Sequence, residues 1–353
     1  MSDGPVYYHD YLGLDELLAT QQPLTGAHDE LLFIIVHQAY ELWFRQILHE
    51  LGAVHDLLAG DDVPESAMLR LVGHLNRVVG IQRILMDQLA TLETMTPLDF
   101  MDFRDRLVPA SGFQSVQWRL IENRLGIPRD ARLPIDGRAY TSRLSPEHTM
   151  AVAASEEGPS LFDLVEAWLE RTPFLEAPGF AFWDAYRTSV DELAAREARL
   201  IEANENLTED ARLAQLARAD ANRARFAALF DDELYEAEQA AGERRLSRRA
   251  FLAAVMIHLY RDEPIMQLPF RMLTALVDID EGFTTWRHGH ALMARRMIGG
   301  RIGTGGTSGF EYLAEAARRY RVWTDLLDIA TYLVPREAIP PLPPDVRASM
   351  GFG

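Results

Sequence analysis

Apolar residues recur at every third or fourth position over long stretches of the chain, and sustained alternation at every second position is hard to find, so an all-α fold is predicted. Over 29–58, Phe33, Val36, Tyr40, Trp43, Ile47, Leu51 and Val54 form one apolar stripe, with Asp29 and Glu30 in the first turn, where the helix dipole favours acids. Further helices are predicted over about 64–92, 98–107 and 114–125. Pro109, Ala110, Ser111 and Gly112 break the chain between the last two. Residues 126–147 carry three prolines and weak periodicity, which reads as a long connection with room for a short strand pair.

From 161 to 232 the composition turns rich in Ala, Glu and Arg, as in the run from Glu192 to Leu200, and predicts long, partly exposed helices forming a solvated hairpin. Apolar periodicity returns over 249–260. A helix beginning near Asp280 then carries Trp286 and His290 and ends at the glycine-rich stretch 299–309. Residues 335–344, rich in proline, are expected to cover the surface in extended form. No internal repeat is evident.

Composition narrows the chemistry. With 353 residues, 48% hydrophobic and 25% charged, the chain can bury a large core in one large domain or two intimate ones. A formal net charge of −18 argues against a general nucleic-acid binder, which needs clustered cations. The longest strongly apolar run, from Leu31 to Val36, is too short to span a bilayer, and no secretory signal pattern opens the sequence, so a cytoplasmic protein is expected. Cysteine is absent, which removes disulfides, thiolate nucleophiles, cysteine-ligated clusters and covalent haem attachment. All 35 basic residues are arginine, which excludes lysine Schiff bases and the lysine of a phosphate-binding loop.

Three features remain as candidate chemistry. His37 follows Phe33 by one turn, and His290 follows Trp286 by one turn, although each taken alone reads more readily as a satisfied core or surface histidine. Arg104 sits beside Phe100 and Phe103. Its planar fork could hold a carboxylate ligand, or pair with Asp102 or Asp105. The glycine-rich stretch lacks a phosphate-loop lysine and follows a helix rather than a strand, so it is no nucleotide fingerprint; it permits close backbone approach to a ligand, with Thr304, Thr307 and Ser308 as hydroxyl donors, or is a surface loop.

Together these segments resemble a known family. Residues 28–38 with Glu41-Leu42-Trp43, Phe103-Arg104 with Ser111-Gly112-Phe113-Gln114-Ser115, and Trp286-Arg287-His288-Gly289-His290 with Gly303-Thr304-Gly305-Gly306 are similar, in order and spacing, to the signature blocks of the tryptophan 2,3-dioxygenases. Weaker similarity extends from Tyr8 to about Pro340. Thr307 stands where serine is usual, and Gly289 and Ala291 also depart from the family pattern.

The resemblance implies a haem-binding helical bundle of the tryptophan/indoleamine dioxygenase type over 1–353, with about 161–232 as a helical insertion. It implies His290 as proximal ligand of a haem b that is ferrous in the active form, and His37 on the distal side as acceptor of the substrate indole N–H. Arg104 and Thr304 would hold the amino-acid head group, with Phe33 and Phe100 lining the indole pocket. It further implies a cytoplasmic homotetramer in which the N-terminal segment, residues 1–25, docks on a neighbouring subunit, with Tyr8, Tyr11 and Leu12 closing that neighbour's pocket. The implied reaction is cleavage of the indole C2–C3 bond of L-tryptophan by O₂, giving N-formyl-L-kynurenine, the first step of degradation through kynurenine. An alternative is a superfamily monooxygenase that tailors tryptophan or a modified tryptophan. A haem sensor has no need of the clamp formed by Arg104, Thr304 and His37.

Overall fold

A computed structural model of the chain describes residues 5–60, 63–172, 182–301, 303 and 309–350. Among these residues the chain is all-α, with sixteen helices and three short 3₁₀ turns. In chain order the helices are α1 (Tyr8–Leu12), α2 (Leu14–Ala19), α3 (Glu30–Leu58), α4 (Glu65–Leu92), α5 (Pro97–Arg104), α6 (Val116–Leu125), α7 (Pro146–Ala154) and α8 (Leu161–Glu170). They continue with α9 (Phe182–Glu202), α10 (Glu209–Leu229), α11 (Asp232–Ala240), α12 (Arg248–Leu259), α13 (Pro264–Ile298), α14 (Gly309–Arg319), α15 (Thr324–Asp328) and α16 (Pro344–Ser349). The expected strand pair within 126–147 is a lone antiparallel bridge between Ile135 and Arg138. None of the described helices is long and apolar enough to cross a membrane.

The chain forms two compact units, to which α3, α4 and α13 each contribute a part. The first comprises Met1–Val54, His74–Ser160 and Asp278–Val322. Its core runs along the apolar face of α3, where Val36, Tyr40, Ile47, Leu51 and Val54 are buried as the stripe requires. Phe44 joins them, while Trp43 is only half-buried. Tyr40 donates from its hydroxyl to the Leu85 carbonyl of α4 (2.6 Å), and Gln82 of α4 donates to the Ile279 carbonyl of α13 (2.8 Å). Gly282 makes room for that amide, since a Cβ there would come within 2.5 Å of Gln82 Oε1.

Local signals explain where these helices start. Thr96 and Asp99 form a capping box at α5. Ser115 accepts from the Trp118 N–H and starts α6 two residues later than the apolar pattern suggests, because Gly112–Gln114 is a 3₁₀ turn. The larger difference lies in α13, which begins sixteen residues before the expected start near Asp280 and runs through Pro269. An interior proline costs about 3 kcal/mol, but burying each of Met266, Met272, Leu273 and Leu276 is worth roughly 1.5–3 kcal/mol, and together they outweigh it.

Behind α13 the first unit buries a charge cluster. Glu122 of α6 receives Arg119 (2.9 Å) and Arg132 on Oε2, and Arg287 of α13 (3.1 Å) on Oε1. Arg287 also donates to the Tyr320 carbonyl (3.0 Å). Asp280 accepts from the Val322 N–H (2.9 Å), holding the chain beyond α14 to α13.

The second unit comprises His55–Gly73, Leu161–Val277 and Trp323–Gly353. Helices α8 and α12 pack together, α8 burying Leu161, Phe162, Val165 and Leu169. Carboxylates cap the turn before α12: Asp325 accepts from the N–H groups of Arg245 (2.8 Å) and Leu246 (2.6 Å), and Glu166 accepts from that of Ser247 (2.6 Å). The predicted hairpin is α9 against α10, tied by Arg223 to Asp191 (2.8 Å); its inner face buries Phe182, Tyr186 and Ala219. Beyond Pro335 the chain makes a 3₁₀ turn (Arg336–Ala338), then an extended run pinned by the Tyr260 hydroxyl on the Pro340 carbonyl (2.7 Å), before turning into α16.

Burial pushes the Glu122 pKa up, but the combined pull of Arg132, Arg119 and Arg287 is larger and holds it at about 2, against 4.5 for an ordinary glutamate. The cluster's contribution is therefore complete above pH 4.5 and is lost as pH falls toward 2. Urea unfolding is expected to show wild type losing about 2 kcal/mol more than Glu122→Gln between pH 5 and pH 3. At pH 7 the variant is expected to be less stable by roughly 3–5 kcal/mol, because the guanidiniums lose their buried partner.

Candidate active site

Three helices of the first unit bring the candidate residues together: α3 supplies Phe33 and His37, α5 supplies Phe100, Phe103 and Arg104, and α13 supplies Trp286 and His290. The Phe33 ring lies 4.0 Å from His37, 5.8 Å from Phe100 and 5.6 Å from Phe103, centroid to centroid. Phe103 is fully buried beneath this patch and meets Phe100 edge-on at 5.4 Å. Arg104 follows as the last, half-buried residue of α5. Arg301 approaches Met101 Sδ at 2.7 Å, so the described start of the glycine-rich stretch lies beside α5.

His37 sits in a recess. Surrounding protein lowers its pKa by disfavouring the imidazolium, although the residue stays open to solvent on one side, which moderates the effect. Its Nδ1 lies 2.7 Å from the Phe33 carbonyl. A carbonyl only accepts, so in the neutral ring Nδ1 carries the hydrogen and Nε2 presents a lone pair.

On α13, burial and the nearby His37 bring the pKa of His290 down to about 4, so its imidazole is neutral at pH 7. Among the described residues its ring nitrogens have no hydrogen-bond partner. The ring packs on Trp286 (5.4 Å), which lies 4.7 Å from Trp118, 5.9 Å from Tyr40 and 6.2 Å from Phe44. The two histidines thus approach from separate helices, each neutral and each with a nitrogen lone pair to offer.

Of the residues singled out by sequence, Phe33, His37, Phe100, Arg104 and His290 fall within this assembly. Thr304 lies outside the described residues. Tyr8, Tyr11 and Leu12 form α1, where they are 75%, 77% and 44% exposed and α1 buries nothing within the chain. Sequence reasoning gave no role to Phe103, Trp118 or Arg287. Phe103 was visible in the Phe-Arg pair, but nothing local marks Trp118, whose ring meets that of Trp286 on the distant helix α13. A separate cavity of about 590 Å³, lined by Ala39, Leu42, Trp43, Gln46, Arg77 and Ile81, lies on roughly the opposite face of α3 from His37.

The fold and site thus define an all-helical protein that sets two neutral histidines and an arginine around an aromatic patch. A sequence model of the family described as tryptophan 2,3-dioxygenase matches residues 1–333. The tryptophan 2,3-dioxygenase of Bdellovibrio bacteriovorus is 46% identical over 353 residues, covering 99% of this chain and 98% of its own. That of Dictyostelium discoideum is 43% identical, covering 98% of this chain and 88% of its own; tryptophan 2,3-dioxygenase B of Danio rerio is 46% identical, covering 98% and 86%. The chain belongs to the tryptophan 2,3-dioxygenase family.

The aromatic patch supplies a test of its own construction. Phe103→Ala is expected to cost about 3–5 kcal/mol in chemical denaturation, since it empties a filled core position. Phe100→Ala, at the half-buried edge, is expected to cost less than half as much.

Proposed function

We propose that this chain is a haem-dependent tryptophan 2,3-dioxygenase, cleaving the indole C2–C3 bond of L-tryptophan with O₂ to give N-formyl-L-kynurenine, the first step of degradation through kynurenine. The observation that carries the reading is the pair of neutral histidines, His37 and His290, presented from α3 and α13 within a chain that belongs to this family over nearly its full length. The cofactor proposed is haem b, ferrous when active.

The residues fit such a group. A histidine that ligates haem iron must be neutral with its lone pair uncommitted, and His290 meets that requirement; with no cysteine in the chain, a thiolate ligand is excluded. When bound, the ferrous haem supplies the activation of O₂, and the protein supplies orientation.

His37 Nε2 would accept the indole N–H and fix the direction of the ring, with the Phe33 and Phe100 rings as apolar walls. Arg104 meets the substrate carboxylate with two donors, and Thr304 contacts the ammonium and carboxylate. His37 orients the ring and removes no proton. Both oxygen atoms end in the product, so no reductant is consumed at each turnover.

Residues 1–25 belong to the same proposal. The exposed apolar side chains of α1 support Tyr8, Tyr11 and Leu12 docking on a neighbouring subunit of a cytoplasmic homotetramer and closing its pocket. The chain works as one helical haem dioxygenase domain, with about 161–232 as its insertion.

The reaction is tested with ferrous enzyme, L-tryptophan and ¹⁸O₂. Mass spectrometry is expected to find two labelled oxygens in N-formylkynurenine, and His290→Ala is expected to lose the haem or all turnover. A single-oxygen product that needs reductant at each turnover would establish the tailoring monooxygenase instead.

Arg104→Lys keeps the charge but not the fork. It is expected to lower kcat/KM by about 2 kcal/mol or more, roughly thirtyfold. Wild-type kinetics in that variant would return Arg104 to an ordinary ion pair.

A further inference from the structure

His290 does not stand alone on α13. At about 100° per residue, it projects about 40° to one side of Trp286 and about 60° to the other side of Arg287, both one turn earlier. Each neighbour is fixed by a different kind of contact. Trp286 is wedged among Tyr40, Phe44 and Trp118. Arg287, 4% exposed, donates to Glu122 Oε1 at 3.1 Å and to the Tyr320 carbonyl at 3.0 Å, with its guanidinium between the rings of Trp118 (5.2 Å) and Tyr320 (5.5 Å). Glu122 is itself immobilised by Arg119 and Arg132, and Arg132 is tied to Asn123.

We propose that Arg287, held by Glu122, is a positioning residue for His290: it sets the rotation of α13 about its axis and so the direction in which the imidazole lone pair points. The inference rests on the reading of His290 as axial ligand. Stability alone is a poor reason for the cluster, because buried ion pairs are often matched or bettered by apolar residues of similar size. What a guanidinium held at two points adds is direction, since its planar donors satisfy a carboxylate and a backbone carbonyl together in only one orientation. Side chains reach about 5–6 Å from a helix axis, so a rotation of only 10° would displace the ring by about 1 Å. A misplacement of that size can cost about a hundredfold in rate.

The test uses ferrous holoenzyme carrying Arg287→Lys, Arg287→Met or Glu122→Gln, with Leu169→Ala of the second unit as a control for lost stability. The readouts are the iron–histidine stretching band in resonance Raman, the ferric–ferrous potential, kcat, KM and the melting temperature. The Arg287 and Glu122 variants are expected to bind haem but to show a shifted or broadened iron–histidine band and about a tenfold or greater fall in kcat, with KM within about twofold. Leu169→Ala is expected to melt earlier with the wild-type band. Should Arg287→Met fail to fold, Arg287→Lys and Glu122→Gln carry the same readout.

A wild-type band and kcat in folded variants that merely melt earlier would overturn the proposal, as would the same band shift in Leu169→Ala. His290→Ala separates the two readings. If it keeps a histidine-ligated band, the axial assignment fails and this inference with it. If it loses the band while the Arg287 variants keep theirs, only the positioning role fails.

Discussion

The arrangement of the first unit depends on one buried carboxylate. Glu122 cannot lose its hydration without replacement partners, and it finds them in Arg119 on its own helix, Arg132 in the connection after α6, and Arg287 on α13. Helix α6, the connection that follows it and the distant helix α13 are therefore held at one point. Because each guanidinium is also costly to bury alone, losing Glu122 would take from all three arginines the carboxylate they share. The burden is shared with neutral groups: Tyr140 and Tyr320 present ring faces to Arg132, and Trp118 does so to Arg287.

In front of this ionic framework the unit becomes apolar and aromatic, and the change in environment makes the two histidines useful. Burial works against the imidazolium at both positions and outweighs the opposing pull of Glu41 on His37, so His37 and His290 are both neutral at pH 7. For His37 the backbone sets the tautomer, the Phe33 carbonyl taking the Nδ1 hydrogen and leaving Nε2 as acceptor. Trp118 belongs to both environments, touching the Arg287 guanidinium and the Trp286 ring.

The second unit shows the same economy with weaker means. Asp325, Glu166 and Glu170 are spent on the N–H and hydroxyl groups of the turn entering α12, so a sharp change of direction is made without stranded donors. The α9/α10 hairpin is held by the small and aromatic residues of its inner face, with Arg223 and Asp191 across its exposed side. Exposed pairs of this kind contribute little, so the packed face decides the geometry.

The helix content and most helix bounds were legible in the sequence, because an apolar face recurring every 3.6 residues is a local property; α3, α4 and α12 lie where the pattern places them. So were the end residues of the site, since Phe33 and His37, Phe103 and Arg104, and Trp286 and His290 are each near neighbours on one helix. Only tertiary structure could carry α13 through Pro269, because the burial that offsets the missing hydrogen bond comes from distant parts of the chain. Likewise only tertiary structure could make Glu122 the centre of a charge cluster. In sequence it is one of many acids in an arginine-rich chain; its low pKa arises from Arg132, Arg119 and Arg287, and the approach of Arg132 and Arg287 depends on the connection and α13 folding back upon α6. Local periodicity decides which face of a helix is buried, whereas long-range packing decides what that face meets.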